Sequence, residues 1–208
     1  YCYPDEIDEE LLNAMARHDN ICKYLDLPLQ HADPLLLKRM NRRGDPEKTR
    51  QLLHRAREMG FTLRTTFIVG FPGETDEQFA HLMGFVREIQ FDRLGAFTYS
   101  PEEDTPAARM DGQLPEEIKQ KRLDELMTAQ QTFSLERNRL RIGTEEKVLV
   151  ETVDGKGHGV GRSAQEAPDT DGVIKLAGVS EADLGQFVRA RITDAEVYDL
   201  RAERIRED

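Results

Sequence analysis

Polar residues at three predicted strand ends are the positions in this sequence best suited to chemistry. Gln30 and His31 follow the first apolar run, Gly-Phe-Pro-Gly-Glu (70–74) follows the second, and Tyr99 and Ser100 follow the third. Parallel α/β folds bind ligands at the carboxyl ends of their strands, so we expect these groups to lie together. Gln30 is suited to bonding a ligand amide or carboxylate, and Tyr99 to stacking on a base or donating its hydroxyl. His31 is read equally well as a general acid–base or as an imidazole that caps or lines the rim.

The turn at residues 70–74 joins a β-branched apolar run to a helix. Thr75 and Gln78 have capping-box spacing, so the helix is expected to begin there. Backbone N–H groups beside a helix N-terminus are able to bind a carboxylate, a phosphate or a ribose. Turns of this kind also occur without a ligand, and an acid such as Glu74 is favoured before any helix. Both interpretations therefore stay open from the residues alone.

Arg64 and Thr66 lie near the start of the central strand. If they face the interior of a barrel, they are polar core residues that need partners. A ligand carboxylate is a natural partner for Arg64 in that position.

Composition excludes several classes of protein. Cys2 and Cys22 are the only cysteines and do not have metal-ligand spacing, so we expect ordinary thiols in a reducing, cytoplasmic compartment and no metal site. No apolar run approaches the ~20 residues of a membrane helix. The net charge of −11 makes RNA an unlikely ligand for the chain and favours a basic partner or none.

The residues before about 140 predict three strand–helix units. Strands are expected at 24–31, 63–69 and 93–100, and helices begin near Pro4, Pro34, Pro46, Thr75 and Pro115. Pro28 indicates an edge strand or a strand end. Ile118, Leu123, Leu126, Met127 and Phe133 are predicted to face inward. Such units are parallel with right-handed crossovers, and three of them make half of a (β/α) barrel or part of an open doubly wound sheet. Because three strands leave unpaired edges, we expect a further amino-terminal half.

Beyond about residue 140 the pattern changes to short strands and glycine turns. Strands are predicted at 147–153, 173–176 and 187–197, with a hairpin signal at Asp154-Gly155 and a glycine-rich continuation. This predicts a small five-stranded barrel of the OB kind, with domains at 1–139 and 140–208. Residues 140–208 carry 10 basic and 15 acidic side chains, a net charge of −5.

Several sequence motifs resemble those of the radical S-adenosylmethionine (SAM) methylthiotransferases. They are Tyr-Leu-Asp-Leu-Pro-Leu-Gln-His-Ala (24–32), Met-Asn-Arg-Arg-Gly (40–44), Leu-Arg-Thr-Thr-Phe-Ile-Val-Gly-Phe-Pro-Gly-Glu-Thr (63–75) and Phe-Thr-Tyr-Ser-Pro (97–101). Gly-Arg-Ser (161–163) with Ala-Pro-Asp-Thr-Asp-Gly (167–172) is similar to the TRAM domain of the RimO branch. The resemblance runs from residue 1 to about 200.

The resemblance implies a fold, an activity and a cofactor site. RimO-type enzymes replace a β-carbon hydrogen of one aspartate in a ribosomal small-subunit protein with a methylthio group. The chain would then hold the last three strands of an open radical SAM barrel, a TIM-like (β/α) architecture, and an OB-like TRAM barrel. The resemblance also implies two 4Fe–4S clusters in the whole protein. The positions that match the family's SAM contacts are Gln30, Arg64, Thr66, Phe67, Gly70 and Tyr99.

The sequence also departs from the family pattern. It contains no Cys-x3-Cys-x2-Cys motif, so we expect neither cluster to be bound by this chain and the chain to be inactive alone. The segment Glu102-Glu103-Asp104-Thr105 replaces the family's usual glycine-containing loop. The acidic balance favours a basic ribosomal protein as substrate. A tRNA adenosine methylthiotransferase of the MiaB kind and a non-catalytic TRAM-type binding module are the alternatives. The catalytic residues stay unassigned.

Overall fold

The computed structural model describes residues 1–206. The chain forms two compact units, Tyr1–Gln130 and the residues from Gln131 onward. None of the helices among the described residues has both the length and the hydrophobicity required to span a bilayer.

The first unit is built on a three-stranded parallel sheet. Its strands are β1 (Tyr24–Gln30), β2 (Thr62–Val69) and β3 (Arg93–Thr98), in the order β1-β2-β3. The helices are α1 (Glu9–Arg17), α2 (Pro34–Arg39), α3 (Pro46–Glu58), α4 (Asp76–Ile89) and α5 (Glu116–Arg139), the last of which continues into the second unit. The three predicted parallel strands are therefore confirmed, as are the helices predicted near Pro34, Pro46, Thr75 and Pro115. Pro28 lies in a strand at the end of the sheet order, as expected.

Side chains alternate between the two faces of the central strand. Leu63, Phe67 and Val69 are buried, whereas Arg64 and Thr66 are partly exposed on the other face. The ring of Phe67 packs edge-on against Phe85 of α4 and against Phe91, at centroid distances of 6.5 and 5.9 Å. The buried set therefore faces the helices.

The helix starts follow the capping signals of the sequence. The carboxylates of Asp33 and Asp45 accept N–H groups at the starts of α2 and α3, and Thr75 and Gln78 form the predicted capping box of α4. The first helix differs from the prediction. Residues Pro4–Glu6 form a 3-10 turn, and α1 begins only at Glu9 because the Asp8 carboxylate accepts the N–H of Leu11.

The prediction for the inward face of α5 was right only for Leu126, which is buried. Ile118 is 40% exposed and Leu123, Met127 and Phe133 are only half-buried, while the buried positions follow a largely polar stripe. These positions are Lys119, Arg122, Leu126, Gln130, Ser134 and Asn138. Several donate to carbonyl groups of loops: Lys119 to Tyr99, Arg122 to Glu74, and Gln130 to Phe91. The buried face of α5 is largely polar because the loops that it covers have carbonyl oxygens that need hydrogen-bond donors. The apolar residues of α5 therefore did not indicate which face is buried.

The second unit contains a closed five-stranded barrel, which confirms the predicted architecture. Strands β4 (Glu145–Val153), β5 (His158–Arg162), β6 (Ile174–Ala177), β7 (Phe187–Ala195) and β8 (Leu200–Arg204) close in the order β4-β5-β6-β8-β7. The predicted strand at 187–197 ends at Ala195, and β8 was not predicted. The core is aliphatic, built from valine, isoleucine, leucine and alanine side chains. Gly161 is required here because a Cβ at this position would collide with the carbonyl oxygen of Leu149 on β4.

An ion cluster around Arg141 joins the residues before β4 to the loop after β5. The guanidinium of Arg141 donates to both carboxylate oxygens of Glu146, at 2.9 and 2.7 Å, and to Glu166 and Ser163 at 2.5 and 3.1 Å. Glu166 in turn accepts the N–H and hydroxyl of Ser163. Burial raises the pKa of Glu166, but the charge of Arg141 and these hydrogen bonds hold it below its ordinary value. Burial lowers the pKa of Arg141, and its bonds to Glu146 and the charge of Glu166 more than offset this and raise it.

Candidate functional site at the carboxyl ends of the strands

The carboxyl ends of the three parallel strands lie side by side. Gln30 ends β1 opposite Phe67 of β2, with positive φ (68°) after an irregularity in the strand pairing. The N–H of Tyr99 donates to the carbonyl of Val69 at 2.8 Å, which joins the end of β3 to the end of β2. The structure therefore brings Gln30, Gly70 and Tyr99 to one edge of the sheet, as the strand pattern predicts.

The N–H groups of the turn after β2 are already bonded to Glu74. One carboxylate oxygen of Glu74 accepts the N–H of Gly70 and the N–H of Phe71, the second at 3.2 Å. The Glu74 side chain is completely buried. The Glu74 carboxylate thus occupies the position that the sequence pattern made available to a ligand carboxylate or phosphate. A ligand at this edge would meet other groups of the turn.

His31 is placed as a capping group. Its side chain is completely buried, and Nδ1 accepts the N–H of Asp33 at 3.0 Å. In a neutral ring the proton is then on Nε2, which lies 3.7 Å from Oε1 of Glu74. Of the two interpretations left open above, this geometry supports the capping one.

Asp33 connects the start of α2 to α4. Its carboxylate accepts the N–H of Leu36 at 2.9 Å and the side-chain amide of Gln78 at 2.8 Å. Burial raises the pKa of Asp33, but these two bonds and a contact from His81 hold it below its ordinary value.

Two cations of α5 reach the same edge. Arg122 donates to the carbonyl of Glu74 at 3.1 Å and to Asp76 at 2.7 Å, and its Nη1 lies 3.5 Å from Oε1 of Glu74. Lys119 donates to the carbonyl of Tyr99 at 2.9 Å. Its aliphatic stem lies against Gly70, which has a φ of 75° and where a Cβ would collide with Lys119. A side chain at position 70 is thus excluded by both conformation and space.

The ring of Tyr99 packs in an apolar cluster above the strand ends. It meets Phe71 edge-on at a centroid distance of 5.2 Å, and the two rings share a cluster with Leu36. Tyr99 is 8% exposed, and within the described part of the chain its hydroxyl has no hydrogen-bond partner. A buried hydroxyl without a partner fits a ligand that brings a donor or an acceptor to this cluster.

Arg64 and Thr66 lie on the sheet face opposite the helices. Arg64 donates to Asp26 of β1 at 2.6 Å, so its positive charge is shared with a carboxylate of the protein. Thr66 is half-buried on the same face. The side chain of Phe67 lies on the other face among Phe85 and Phe91, so only its backbone is available on the face of Arg64 and Thr66.

Sequence reasoning missed Lys119 and Arg122. Cations three residues apart on a long helix usually indicate a solvated surface, and nothing in their identity distinguishes them from Lys121, which is exposed. The available signal was their spacing to Leu126 and Gln130, which lie on the same helical face.

No group of three or more His, Cys, Asp or Glu side chains within residues 1–206 is arranged to hold a metal ion.

Comparison with known proteins identifies two domains. Residues 2–86 match the radical SAM superfamily and residues 142–205 match the TRAM domain. The ribosomal protein uS12 methylthiotransferase RimO of Syntrophotalea carbinolica is 50% identical over 204 residues, which cover 96% of this chain and 45% of the relative. The proteins of the same name from Desulfitobacterium hafniense and Geobacter sulfurreducens are 45% and 48% identical, over 98% and 96% of the chain and 46% and 45% of the relatives.

The chain spans about half the length of the curated relatives that it matches. The aligned residues make up 96% and 98% of the chain for the first two of these relatives, so the match extends over both units. Over nearly its whole length the chain is therefore similar to RimO-type radical SAM methylthiotransferases, and it combines a radical SAM segment with a TRAM domain.

Proposed function

We propose that the chain is part of an enzyme that transfers a methylthio group to the β-carbon of an aspartate in ribosomal protein uS12. The observation that carries the proposal is the match of about 45–50% identity over nearly the whole chain to relatives named as ribosomal protein uS12 methylthiotransferases. In this proposal residues 1–139 form half of a radical SAM barrel and residues 140–208 form the TRAM domain. The two 4Fe–4S clusters are bound by a part of the protein outside these residues.

The edge formed by the three strand ends is the proposed place of SAM. The cofactor, when bound, supplies the radical chemistry that removes a hydrogen from the substrate. Gln30, Thr66, Gly70, Tyr99 and the backbone of Phe67 would hold it. The unpartnered hydroxyl of Tyr99 supports this assignment.

We assign Arg64 to the carboxylate of SAM, on the condition that Arg64 can bind that carboxylate and Asp26 at the same time. Its guanidinium already donates to Asp26, so a ligand carboxylate would share the five donors of the fork with that side chain. Because the Glu74 carboxylate already accepts the N–H groups of Gly70 and Phe71, a ligand at this turn is limited to its other groups.

The acidic balance of the chain supports a basic protein substrate over tRNA. A net charge of −5 in residues 140–208 steers a basic ribosomal protein toward the TRAM domain and repels nucleic-acid phosphates. This charge argument is independent of the sequence match.

The cofactor site is tested by calorimetric titration of residues 1–208 with SAM. We expect binding that weakens about tenfold, or ~1.4 kcal/mol, when the Tyr99 hydroxyl is removed by Tyr99→Phe. Thr128→Val, on an exposed position of α5, is the matched control and should bind as the unaltered chain does. Equal affinity of Tyr99→Phe and the unaltered chain would refute a contact at that hydroxyl.

The substrate is tested with the longer protein, purified without oxygen and supplied with both uS12 and tRNA. A mass increase of one methylthio group on a uS12 peptide, located at an aspartate, is the expected result. Modification of the tRNA in place of uS12 would favour the MiaB-like alternative. Loss of activity without the TRAM residues, with cofactor cleavage retained, would locate substrate binding in that domain.

A further inference from the structure

We propose that α5 sets the geometry of the turn after β2, with Lys119 and Arg122 as positioning residues that act through Glu74 and the Tyr99 carbonyl. The link to catalysis rests on the function proposed above, since it is the proposed SAM site that this turn borders. The positioning itself is a property of residues 1–130 and is testable without the cofactor.

The first step of the argument is the charge of Glu74. Its carboxylate holds the N–H groups of Gly70 and Phe71 and is removed from water entirely. A buried carboxylate is costly unless its charge is compensated. The conformation of the turn therefore depends on a positive charge held close to Glu74.

The second step is the source of that counter-charge. Among residues 1–206, Oε1 of Glu74 has no hydrogen-bond partner, and the basic groups beside it are Arg122 at 3.5 Å and His31 at 3.7 Å. Since Nδ1 of His31 serves as an acceptor, Arg122 is the group that carries a permanent positive charge. Arg122 is held in place by the Glu74 carbonyl, by Asp76 and by the ring of Phe79, over which its guanidinium lies at 5.5 Å.

The third step is the position of Lys119, one helical turn before Arg122. Its ammonium group bonds the Tyr99 carbonyl at the end of β3, and its stem packs on Gly70 at the end of β2. Residues three apart on a helix share a face, so one turn of α5 fixes the ends of two neighbouring strands. Movement of α5 would therefore move Gly70 and Tyr99 together, both of which are assigned to the cofactor.

The experiment compares Arg122→Met, Arg122→Lys and Lys119→Met with Lys121→Met, an exposed cation of the same helix, in residues 1–208. Amide hydrogen exchange is measured at Gly70, Phe71 and Gly73 and, as an internal reference, at Leu63 and Phe67 within β2. SAM affinity is measured in parallel.

We expect Arg122→Met and Lys119→Met to speed exchange in the turn about tenfold, with the reference amides unchanged, and to weaken SAM binding by a similar factor. Arg122→Lys should restore part of both, because it returns the charge without the guanidinium fork. Lys121→Met should alter neither.

Unchanged exchange at Gly70 and Phe71 in both Met variants would overturn the proposal, and so would exchange that rises equally throughout β2, which would indicate general destabilisation. If Arg122→Met does not fold, Lys119→Met decides by the same criteria. If the unaltered chain does not bind SAM, the proposed cofactor site fails, while the exchange measurement still decides whether α5 positions the turn.

Discussion

Each unit buries a cluster of charged side chains, and the two clusters are built differently. In the barrel unit, the Arg141 guanidinium bonds Glu146 and Glu166 at 2.5 to 2.9 Å, and Ser163 completes the set. In the sheet unit, Oε1 of Glu74 has no hydrogen bond to any residue that the structure describes, and its basic neighbours Arg122 and His31 are 3.5 and 3.7 Å away. In the Arg141 cluster every charged nitrogen or oxygen of Arg141, Glu146 and Glu166 takes part in a hydrogen bond, whereas in the Glu74 cluster Oε1 lies near basic groups without such a bond among the described residues.

This difference follows from what each cluster supports. The Arg141 cluster ties the residues before β4 to the loop at 163–166, a task that needs fixed geometry. The Glu74 cluster lies beneath a turn at the strand ends, where parallel sheets bind ligands. Buried groups that lack a partner in a native fold call for an explanation, and such groups collect at functional sites.

The largest effect is expected from Arg141→Met. The substitution leaves Glu146 and Glu166 buried without their cation, so the free energy of unfolding of the barrel should fall by about 3–5 kcal/mol. Urea unfolding followed through the amide signals of the barrel strands measures this. Arg139→Met, at an exposed position two residues earlier, is the control and should leave the midpoint in place. A loss below about 1 kcal/mol would mean that the closed cluster is not a major source of stability.

A smaller loss is expected from Glu74→Gln. The amide keeps one oxygen to accept the N–H groups of Gly70 and Phe71, and Oε1 has no bond to lose, so the free energy of unfolding of the sheet unit should fall by about 1–3 kcal/mol. The same urea experiment, read at amides of β2, gives the value. A loss as large as that of Arg141→Met would erase the distinction between the two clusters.

The apolar patterns of the sequence predicted most of the fold. The β-branched run before Gly70 predicted a parallel strand, although only one of its two faces is fully buried. Asp33, Asp45 and Thr75 marked helix starts because local capping depends on neighbouring residues only. The aliphatic runs after residue 140 gave the five-stranded barrel. These features depend on short-range chemistry or on a period of two.

The charged interiors were not predictable in the same way. Lys119 and Arg122 are buried because carbonyls of Tyr99 and Glu74, 20 and 48 residues away, need donors. Arg141 likewise depends on Glu166, 25 residues on. Such pairs are set by tertiary placement, so the sequence indicated the strand ends of the candidate site and not the helix behind them.

The Arg141 cluster also makes the stability of the barrel sensitive to acid. The folded-state pKa of Glu166 lies below its ordinary value of 4.5, so its contribution is fully present above about pH 5 and is lost as the pH falls through the folded-state pKa. We expect the difference in unfolding free energy between the unaltered chain and Glu166→Gln to be constant from neutral pH to about 5 and to shrink below it. A difference that stays constant to pH 3 or so would contradict a titrating Glu166.

The smallest effect is expected from Glu145→Gln, which separates burial from bond geometry. Glu145 accepts from Arg189 and Arg191 at 2.5 and 2.7 Å, as short as the bonds of the Arg141 cluster, and these bonds lower its pKa, but its side chain is 36% exposed. Water and salt screen such a group, so the unfolding midpoint should shift slightly at low salt and not at high salt. If Glu145→Gln destabilised the barrel as much as Arg141→Met, the short bonds themselves would be decisive. If it does not, exclusion from water is the reason that the Arg141 cluster stabilises the barrel strongly. By the same reasoning, the buried charge of Glu74 depends on the positive charge that Arg122 of α5 brings to it.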